Sequence, residues 1–223
     1  MPPRKPRDEA RKARNDVYRQ HILEAAERVF ADQGFEAAKV QDISQRARLS
    51  MGTIYAIFPS KTDVFRGILE ERGHEVLGRA RVAAERRLPP LETLRALIDV
   101  YVGYFVEHPD FLRMHLRSGS SWALGPPAGT VAQVKHWTDV HALQSEIFRR
   151  GVAEGVFVNE EPGHLARLFS AMDQVLLADW VADGMRADRG TLVRRLTALC
   201  ERAFCPTSAV GKRGARRRRQ RAA

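Results

Sequence analysis

Residues 50–58 carry hydroxyl, glycine and apolar side chains in an order that suits contact with a nucleic acid. At helical spacing, Ile54, Ile57 and Phe58 share one face, which can pack inward. The opposite face carries Met51, Gly52, Thr53, Tyr55 and Ala56. The major groove of DNA, about 12 Å wide, admits one α-helix, and the N-terminal residues of that helix come nearest the base edges. Glycine permits close approach, and the two hydroxyls can bond a base or a phosphate. This segment therefore has the chemistry of a recognition helix.

Three further helical segments are placed to position that helix. An apolar stripe precedes Gly34, which stands where a left-handed residue commonly ends a helix. A short second helix with one apolar face covers residues 40–47, and only two residues separate it from Ser50, a good N-cap. Ser60 then opens a fourth helix with a capping-box pattern. Two short helices joined by so tight a turn predict a helix-turn-helix within residues 16–62.

Cationic and polar side chains near the turn could hold the DNA backbone. Lys39 precedes the second helix, Arg46 and Arg48 lie at its end, and Lys61 begins the fourth, where it would offer its charge to a phosphate. Gln41 is a further candidate for base reading. By helical phase, the acids of the first helix should face elsewhere. We expect DNA contacts from Lys39, Gln41, Arg46, Arg48, Ser50, Met51, Gly52, Thr53, Tyr55 and Lys61.

An ordered set of residues carries a resemblance to a known family. The set consists of Ile22, Leu23, Ala25, Ala26, Val29, Phe30, Gly34, Phe35, Ile43, Ala47, Ser50, Gly52, Thr53, Ile54, Tyr55, Phe58, Ser60 and Lys61. In spacing and type it resembles the DNA-binding domain of TetR-family regulators. The resemblance implies an all-α protein in which a helical ligand-binding and dimerisation domain follows the helix-turn-helix.

Four positions, in three places, depart from the pattern of that family. Lys39 stands where Thr or Ser is usual, and an ammonium cannot accept the hydrogen bond of a helix cap. Arg48 replaces the usual glycine of the turn, which would cost about 1–2 kcal/mol in a left-handed conformation. Ala56 and Ile57 replace side chains that often contact bases. At Arg48, both a strained turn and a new phosphate contact remain open.

The net positive charge of the sequence comes from the two ends of the chain. The formal net charge is +10, with six basic residues in positions 1–14 and seven in positions 212–221. Such tails bind polyanions without sequence preference, or stay solvated and disordered. We therefore divide the chain into four parts: a basic disordered arm (1–15), a helix-turn-helix domain (16–62), a helical ligand-binding and dimerisation domain (63–206) and a basic disordered tail (207–223).

The remaining composition indicates an all-α protein of about nine helices. No alternating run is long enough for a strand, and no apolar run could span a membrane or serve as a secretory signal. The two cysteines, Cys200 and Cys205, match no zinc or redox spacing and are expected to be inert, reduced thiols. We expect a cytoplasmic location and no membrane partner.

One helix of the second half mixes apolar and polar groups on a single face, from Val134 to Val152. A core stripe seldom holds several unpaired polar side chains, whereas a small-molecule pocket is mostly apolar with a few polar groups. We therefore predict a pocket for a small apolar or aromatic effector. Its lining would comprise Tyr101, Phe105, His115, Trp122, Trp137, His141 and Asp173. For each of these residues an ordinary structural role stays open.

The last two helices carry a broad apolar surface. The resemblance implies that they pair with their counterparts in a second copy, and ordinary intrachain core is the alternative. The predicted homodimer interface comprises Leu165, Leu168, Phe169, Met172, Leu176, Leu192, Leu196, Leu199 and Phe204. A two-fold dimer would set its recognition helices about 34–36 Å apart, on a palindromic operator in double-stranded DNA.

An enzyme and a non-specific DNA-compacting protein are the alternatives to a regulator. The seven histidines form no HExxH motif, and His136 and His141 lack the i, i+4 spacing of a shared helical metal site. We therefore predict no enzymatic activity, cofactor or metal. A non-specific DNA-compacting protein remains an alternative because of the arginine-rich tail. The favoured hypothesis is a dimeric repressor that a small-molecule effector releases from its operator.

Overall fold

The computed structural model describes residues 6–125 and 129–206. Within these ranges the chain forms helices and no strand, so the all-α prediction is confirmed. The helices are α1 (Pro6–Ala37), α2 (Val40–Ala47), α3 (Met51–Ile57), α4 (Lys61–Glu85), α5 (Pro90–Glu107), α6 (Pro109–Arg117), α7 (Val131–Ala153), α8 (Pro162–Ala182) and α9 (Arg189–Phe204). No helix in the described part is long and apolar enough to cross a membrane. The predicted tail, 207–223, lies outside the described residues.

The helices form two compact units. The first comprises the described residues up to Arg72 together with Pro109–Gly119, and the second comprises Gly73–His108 and the described residues from Ser120 onward. α4 therefore contributes its first half to one unit and its second half to the other. The predicted boundary after residue 62 differs from this division, because α4 continues without a break through residue 72 and α6 packs against α1.

The first unit is built on α1, which contacts α2, α3 and α6. Gly34 interrupts the regular helix with φ 80° and ψ 165°, a conformation that favours glycine, so the predicted helix end lies there. Beside it, Phe35 and Phe65 pack edge to face with ring centroids 5.1 Å apart, and Phe30 lies 5.4 Å from Phe65. This aromatic group joins the end of α1 to the start of α4.

The N-terminal arm differs from the predicted disordered segment. α1 begins at Pro6, so residues 6–15 are helical although they pack against little: the residues from Glu9 to Val17 are all exposed. Proline is well tolerated at the first position of a helix, and the alanine, arginine and lysine residues that follow are good helix formers. Residues 1–5 lie outside the described residues.

The second unit has its core between α5, α7, α8 and α9. Phe148 of α7 lies at its centre, with ring centroids 5.2 Å from Phe157, 6.3 Å from Phe169 and 5.1 Å from Phe204. Gly151 allows this packing, because a Cβ atom there would collide with the Phe157 ring. The unit thus brings α8 and α5 together around a largely apolar interior.

Candidate functional site

The turn between α2 and α3 is closed by the backbone of Arg48. This residue has φ 55° and ψ 38°, the left-handed conformation, and its N–H donates to Gln45 O at 3.2 Å. Ser44 holds the next residue, because its hydroxyl donates to Leu49 O at 2.6 Å. The sequence prediction that Arg48 occupies the usual glycine position of the turn agrees with this geometry. The role of Ser44 was missed, since a hydroxyl within a helix gives no distinctive signal.

Ser50 fixes the start of α3. Its side-chain oxygen accepts a hydrogen bond from Thr53 N at 3.1 Å, as expected of an N-cap, and lies 2.8 Å from the Thr53 hydroxyl oxygen. The cap satisfies one of the free N–H groups at the helix terminus and orients the Thr53 side chain. Thr53 therefore reaches the surface as part of a fixed pair of hydroxyls.

Of the three α3 side chains predicted to face inward, two are buried and Ile57 is half-buried. Ile54 and Phe58 are buried, and they hold the helix against the rest of the first unit. Met51 is 36% exposed and Tyr55 48% exposed, which places two large side chains in solvent on a helix of only seven residues. Gly52 is also exposed and lies between them. The outward face thus combines an unobstructed backbone with an apolar side chain and a phenol.

The start of α2 is capped from within the helix. The Asp42 carboxylate accepts a hydrogen bond from Lys39 N at 3.1 Å, and the ammonium of Lys39 makes no capping bond. Lys39, Gln41 and Arg46 all have exposed side chains. Three of the cationic and polar side chains predicted to contact DNA near the turn are therefore exposed to solvent.

Lys61 has a different role from the one predicted. Its Nζ atom donates to Phe35 O at 2.6 Å, to Glu36 O at 3.1 Å and to Ala38 O at 2.9 Å. Because an ammonium has three donors, these carbonyl groups satisfy all of them. The prediction that Lys61 offers its charge to a phosphate does not fit this arrangement, since the ammonium serves to close the end of α1 onto α4.

Two carboxylates of α1 form ion pairs with arginines of other helices. Glu27 is buried and pairs with Arg72 of α4 at 2.7 Å, while Asp32 pairs with Arg113 of α6 at 3.1 Å. Neutralised in this way, these carboxylates add little repulsion toward a polyanion. Arg19, which sequence reasoning did not single out, lies 4.8 Å above the ring of Phe58 and helps to fix the end of α3.

Several of the predicted pocket residues meet in the second unit. Trp122 stacks on Phe105 with centroids 4.7 Å apart, and Trp137 donates from Nε1 to Trp122 O at 2.9 Å. Trp137 also stacks on His141 at 5.1 Å. His115 belongs instead to the first unit, where it lies 5.8 Å from the Phe111 ring and where burial lowers its pKa to about 4. It thus belongs to a different unit from the other predicted pocket residues.

A buried polar cluster lies among the remaining predicted residues. The Ser170 hydroxyl donates to Gln144 Oε1 at 3.0 Å, and Gln144 Nε2 donates to the Tyr101 hydroxyl at 3.4 Å. Asp173 lies one helical turn beyond Ser170 and is 4% exposed, and burial raises its pKa to about 7. Gln144 was missed because nothing in the sequence separates it from a surface glutamine.

Most of the predicted dimer residues are core residues of the chain itself. Leu165, Phe169, Leu176, Leu192, Leu196 and Phe204 are all buried. Their side chains fill the interior between α8, α9 and their neighbours, so they do not form an exposed apolar stripe. Leu168, Met172 and Leu199 keep part of their surface exposed, and Val175, which was not predicted, is 61% exposed.

Comparison with known proteins agrees with the geometry of the first unit. Residues 22–68 match the family model of the bacterial regulatory proteins of the tetR family. The chain carries the N-terminal domain of the TetR family. This TetR-type domain covers the second half of α1, α2, α3 and the start of α4. The resemblance inferred from Ile22 to Lys61 is thereby confirmed.

Two curated relatives illustrate how far the similarity reaches. The repressor NicS of Pseudomonas putida is 34% identical over 100 residues, which cover 44% of this chain and 46% of the relative. The repressor KstR of Mycolicibacterium smegmatis is 24% identical over 178 residues, covering 80% of this chain and 82% of the relative. The chain covers only 34% to 46% of the length of the first relatives that it matches.

Solved structures extend the similarity to the fold of the second unit. The regulator FadR of Bacillus subtilis, solved in complex with stearoyl-CoA, matches with a TM-score of 0.68 and 16% identity. The match covers 81% of this chain and 96% of that one. The helical region after the TetR-type domain therefore has the fold of this regulator.

Proposed function

We propose that this chain is a cytoplasmic transcription regulator that represses genes by binding a palindromic operator as a homodimer. The observation that carries the proposal is α3, an exposed seven-residue helix with a fixed N-cap, on a domain that matches the TetR family. A helix so presented suits the major groove. NicS and KstR, which are similar in sequence, are both named as transcriptional repressors.

In this proposal the contacts divide between the backbone and the bases of DNA. Lys39, Arg46 and Arg48 are exposed cations beside α3, and they suit phosphate oxygens. Gly52 lets the helix approach the base edges, while Met51 and Tyr55 are the large side chains that would enter the groove. Few cations take part, so operator choice would depend on the outward face of α3.

The experiment is selection of bound duplexes from a random double-stranded library by the full chain. We expect an enriched inverted repeat whose half-sites lie about one helical turn apart. Tyr55→Ala should weaken binding to that duplex by about tenfold or more, the loss of one contact of 1–3 kcal/mol. Val82→Ala, another exposed apolar residue, is the matched control and should have no effect. A library without enriched sequence would favour a non-specific DNA-compacting protein.

The second unit would bind the effector. Its aromatic stack at Trp122 and its buried polar cluster at Gln144 combine apolar surface with a few polar groups, as small-molecule sites do. An effector releases DNA only if it binds more tightly to a conformation that cannot fit the operator. α4 is the connection through which the two states would communicate, because it contributes to both units.

The dimer would form through the exposed face of α8 with help from α9. Leu168, Met172 and Val175 recur at i, i+4 and i+7, so they lie along one side of α8, and Leu199 adds to this surface from α9. Sedimentation at micromolar concentration should give a dimer. The double variant Leu168→Glu with Val175→Glu should give a monomer with weaker operator binding. A monomeric parent chain would refute the dimer.

A further inference from the structure

Asp173 is a buried carboxyl group without the partners that its neighbours have. It is 4% exposed, and its Oδ1 atom accepts no hydrogen bond from any group in the described part of the chain. Gln144 and Ser170, buried nearby, bond to each other. A buried acceptor left unsatisfied lowers the stability of a protein, and such groups commonly mark a binding site. A ligand from outside the chain would supply the missing hydrogen-bond donor to Asp173 Oδ1.

The surroundings of Asp173 select the chemistry of that partner. Burial, and after it the charge of Asp173, raises the pKa of the Tyr101 phenol and of the Cys200 thiol, both of which are uncharged. None of the ion pairs among the described residues includes Asp173. Gln144 links Tyr101 to Ser170, one helical turn before Asp173. The Tyr101 ring centroid lies 6.0 Å from that of Phe169, and this pair supplies aromatic surface in the same part of the second unit.

We propose that Asp173 anchors the protonated amine of a lipophilic ligand whose apolar body lies against the aromatic residues of the second unit. The inference rests on the proposed function, because this ligand would be the effector. A carboxylate repels an anionic head group and gives a neutral alcohol only a hydrogen bond, whereas an ammonium brings both a charge and donors. Of the three head groups, only the protonated amine stabilises the ionised form of the Asp173 carboxyl group.

The same helix supplies a reporter for binding. Gln174, the residue after Asp173, accepts from Trp122 N at 3.0 Å and donates to Ser120 O at 2.9 Å. Trp122 in turn stacks on Phe105. A ligand that settles beside Asp173 should disturb this turn, so its binding should change the tryptophan fluorescence.

The test compares three probes of equal chain length: decylamine, 1-decanol and decanoate. Fluorescence titration of the full chain at pH 8 should show decylamine binding at least tenfold tighter than 1-decanol, with decanoate weakest. Asp173→Asn should bring the amine and the alcohol within about twofold of each other. Asp179→Asn, an exposed carboxylate on the same helix, is the control and should keep the preference.

Calorimetry adds a second measurement that does not depend on a variant. At pH 6 the buried carboxyl carries a proton, so binding of the ammonium should release close to one proton, and at pH 8 almost none. Equal affinities for amine and alcohol, tighter binding of decanoate, or no binding of decylamine would each overturn the proposal. Library selection by the same preparation separates this failure from failure of the proposed function, because operator binding does not require the amine.

Discussion

The turn residue Arg48 allows a quantitative test of the helix-turn-helix geometry. An L-residue in the left-handed region is less stable by about 1–2 kcal/mol, and Arg48 has φ 55° there. Replacing it with glycine removes this cost but gives the unfolded chain more freedom, which offsets about 0.4–1 kcal/mol. Arg48→Gly should therefore raise the free energy of unfolding by roughly 1 kcal/mol, or the melting temperature by about 2–4 °C.

Two variants serve as controls in urea and thermal denaturation of the full chain. Arg48→Ala removes the same cation but keeps the Cβ atom, so its stability should stay within about 0.5 kcal/mol of the parent. Arg46→Gly changes an exposed arginine within the regular part of α2, and it should destabilise by about 0.5–1 kcal/mol. Arginine-to-glycine substitutions two residues apart should thus change the free energy of unfolding in opposite directions.

The result that would refute this reasoning is an Arg48→Gly variant no more stable than Arg48→Ala. That outcome would mean that the turn is not strained at this position. DNA binding tests the second role of the side chain independently: if Arg48 also contacts a phosphate, both variants should weaken binding equally. The salt dependence of binding should then fall by about one phosphate contact in each.

Three further predictions follow from packing and charge. Lys61→Met should lower the free energy of unfolding in urea by about 2 kcal/mol, because three carbonyl groups lose their hydrogen-bond donor. It should leave the salt dependence of DNA binding unchanged, whereas a weaker salt dependence with unchanged stability would mean that Lys61 contacts a phosphate. Gly151→Ala should lower the free energy of unfolding by about 1–3 kcal/mol, because its Cβ atom would collide with the Phe157 ring. Gly78→Ala, which has open space around it, should raise the free energy of unfolding by about 0.5–1 kcal/mol, and equal effects of the two substitutions would contradict the contact between Gly151 and Phe157. The pKa of Asp173 is about 7 in the folded state and 3.8 in the unfolded state, so its contribution to stability falls as pH rises through that window. The free energy of unfolding of Asp173→Asn should therefore rise relative to that of the parent by up to about 4 kcal/mol between pH 4 and pH 8, and a difference that is constant with pH would show that folding does not raise this pKa.

Local patterns in the sequence predicted the helix-turn-helix of the first unit. The Ser50 cap, the inward Ile54 and the positive φ of Gly34 and Arg48 all follow from rules that act over a few residues. The role of Lys61 could not be found in this way. Its partners are the carbonyl groups of residues 35, 36 and 38, and a sequence pattern does not show where such distant groups meet.

The second unit was predicted less completely, for the same physical reason. Helical periodicity identified the apolar residues of α8 and α9, but it does not distinguish a core residue such as Leu196 from an interface residue such as Val175. That distinction depends on which helices pack against which face. Gln144 joins Tyr101 to Ser170 only because α5, α7 and α8 converge, so its role required the tertiary structure.

If the outward face of α3 reads a specific DNA sequence, the full chain should prefer its selected inverted repeat over a scrambled duplex of the same length and composition. The ratio of the two affinities at physiological salt should be about a thousand or more. Tyr55→Ala should lower this ratio while the affinity for the scrambled duplex stays the same. A ratio near one, or a ratio that the substitution leaves unchanged, would contradict this prediction.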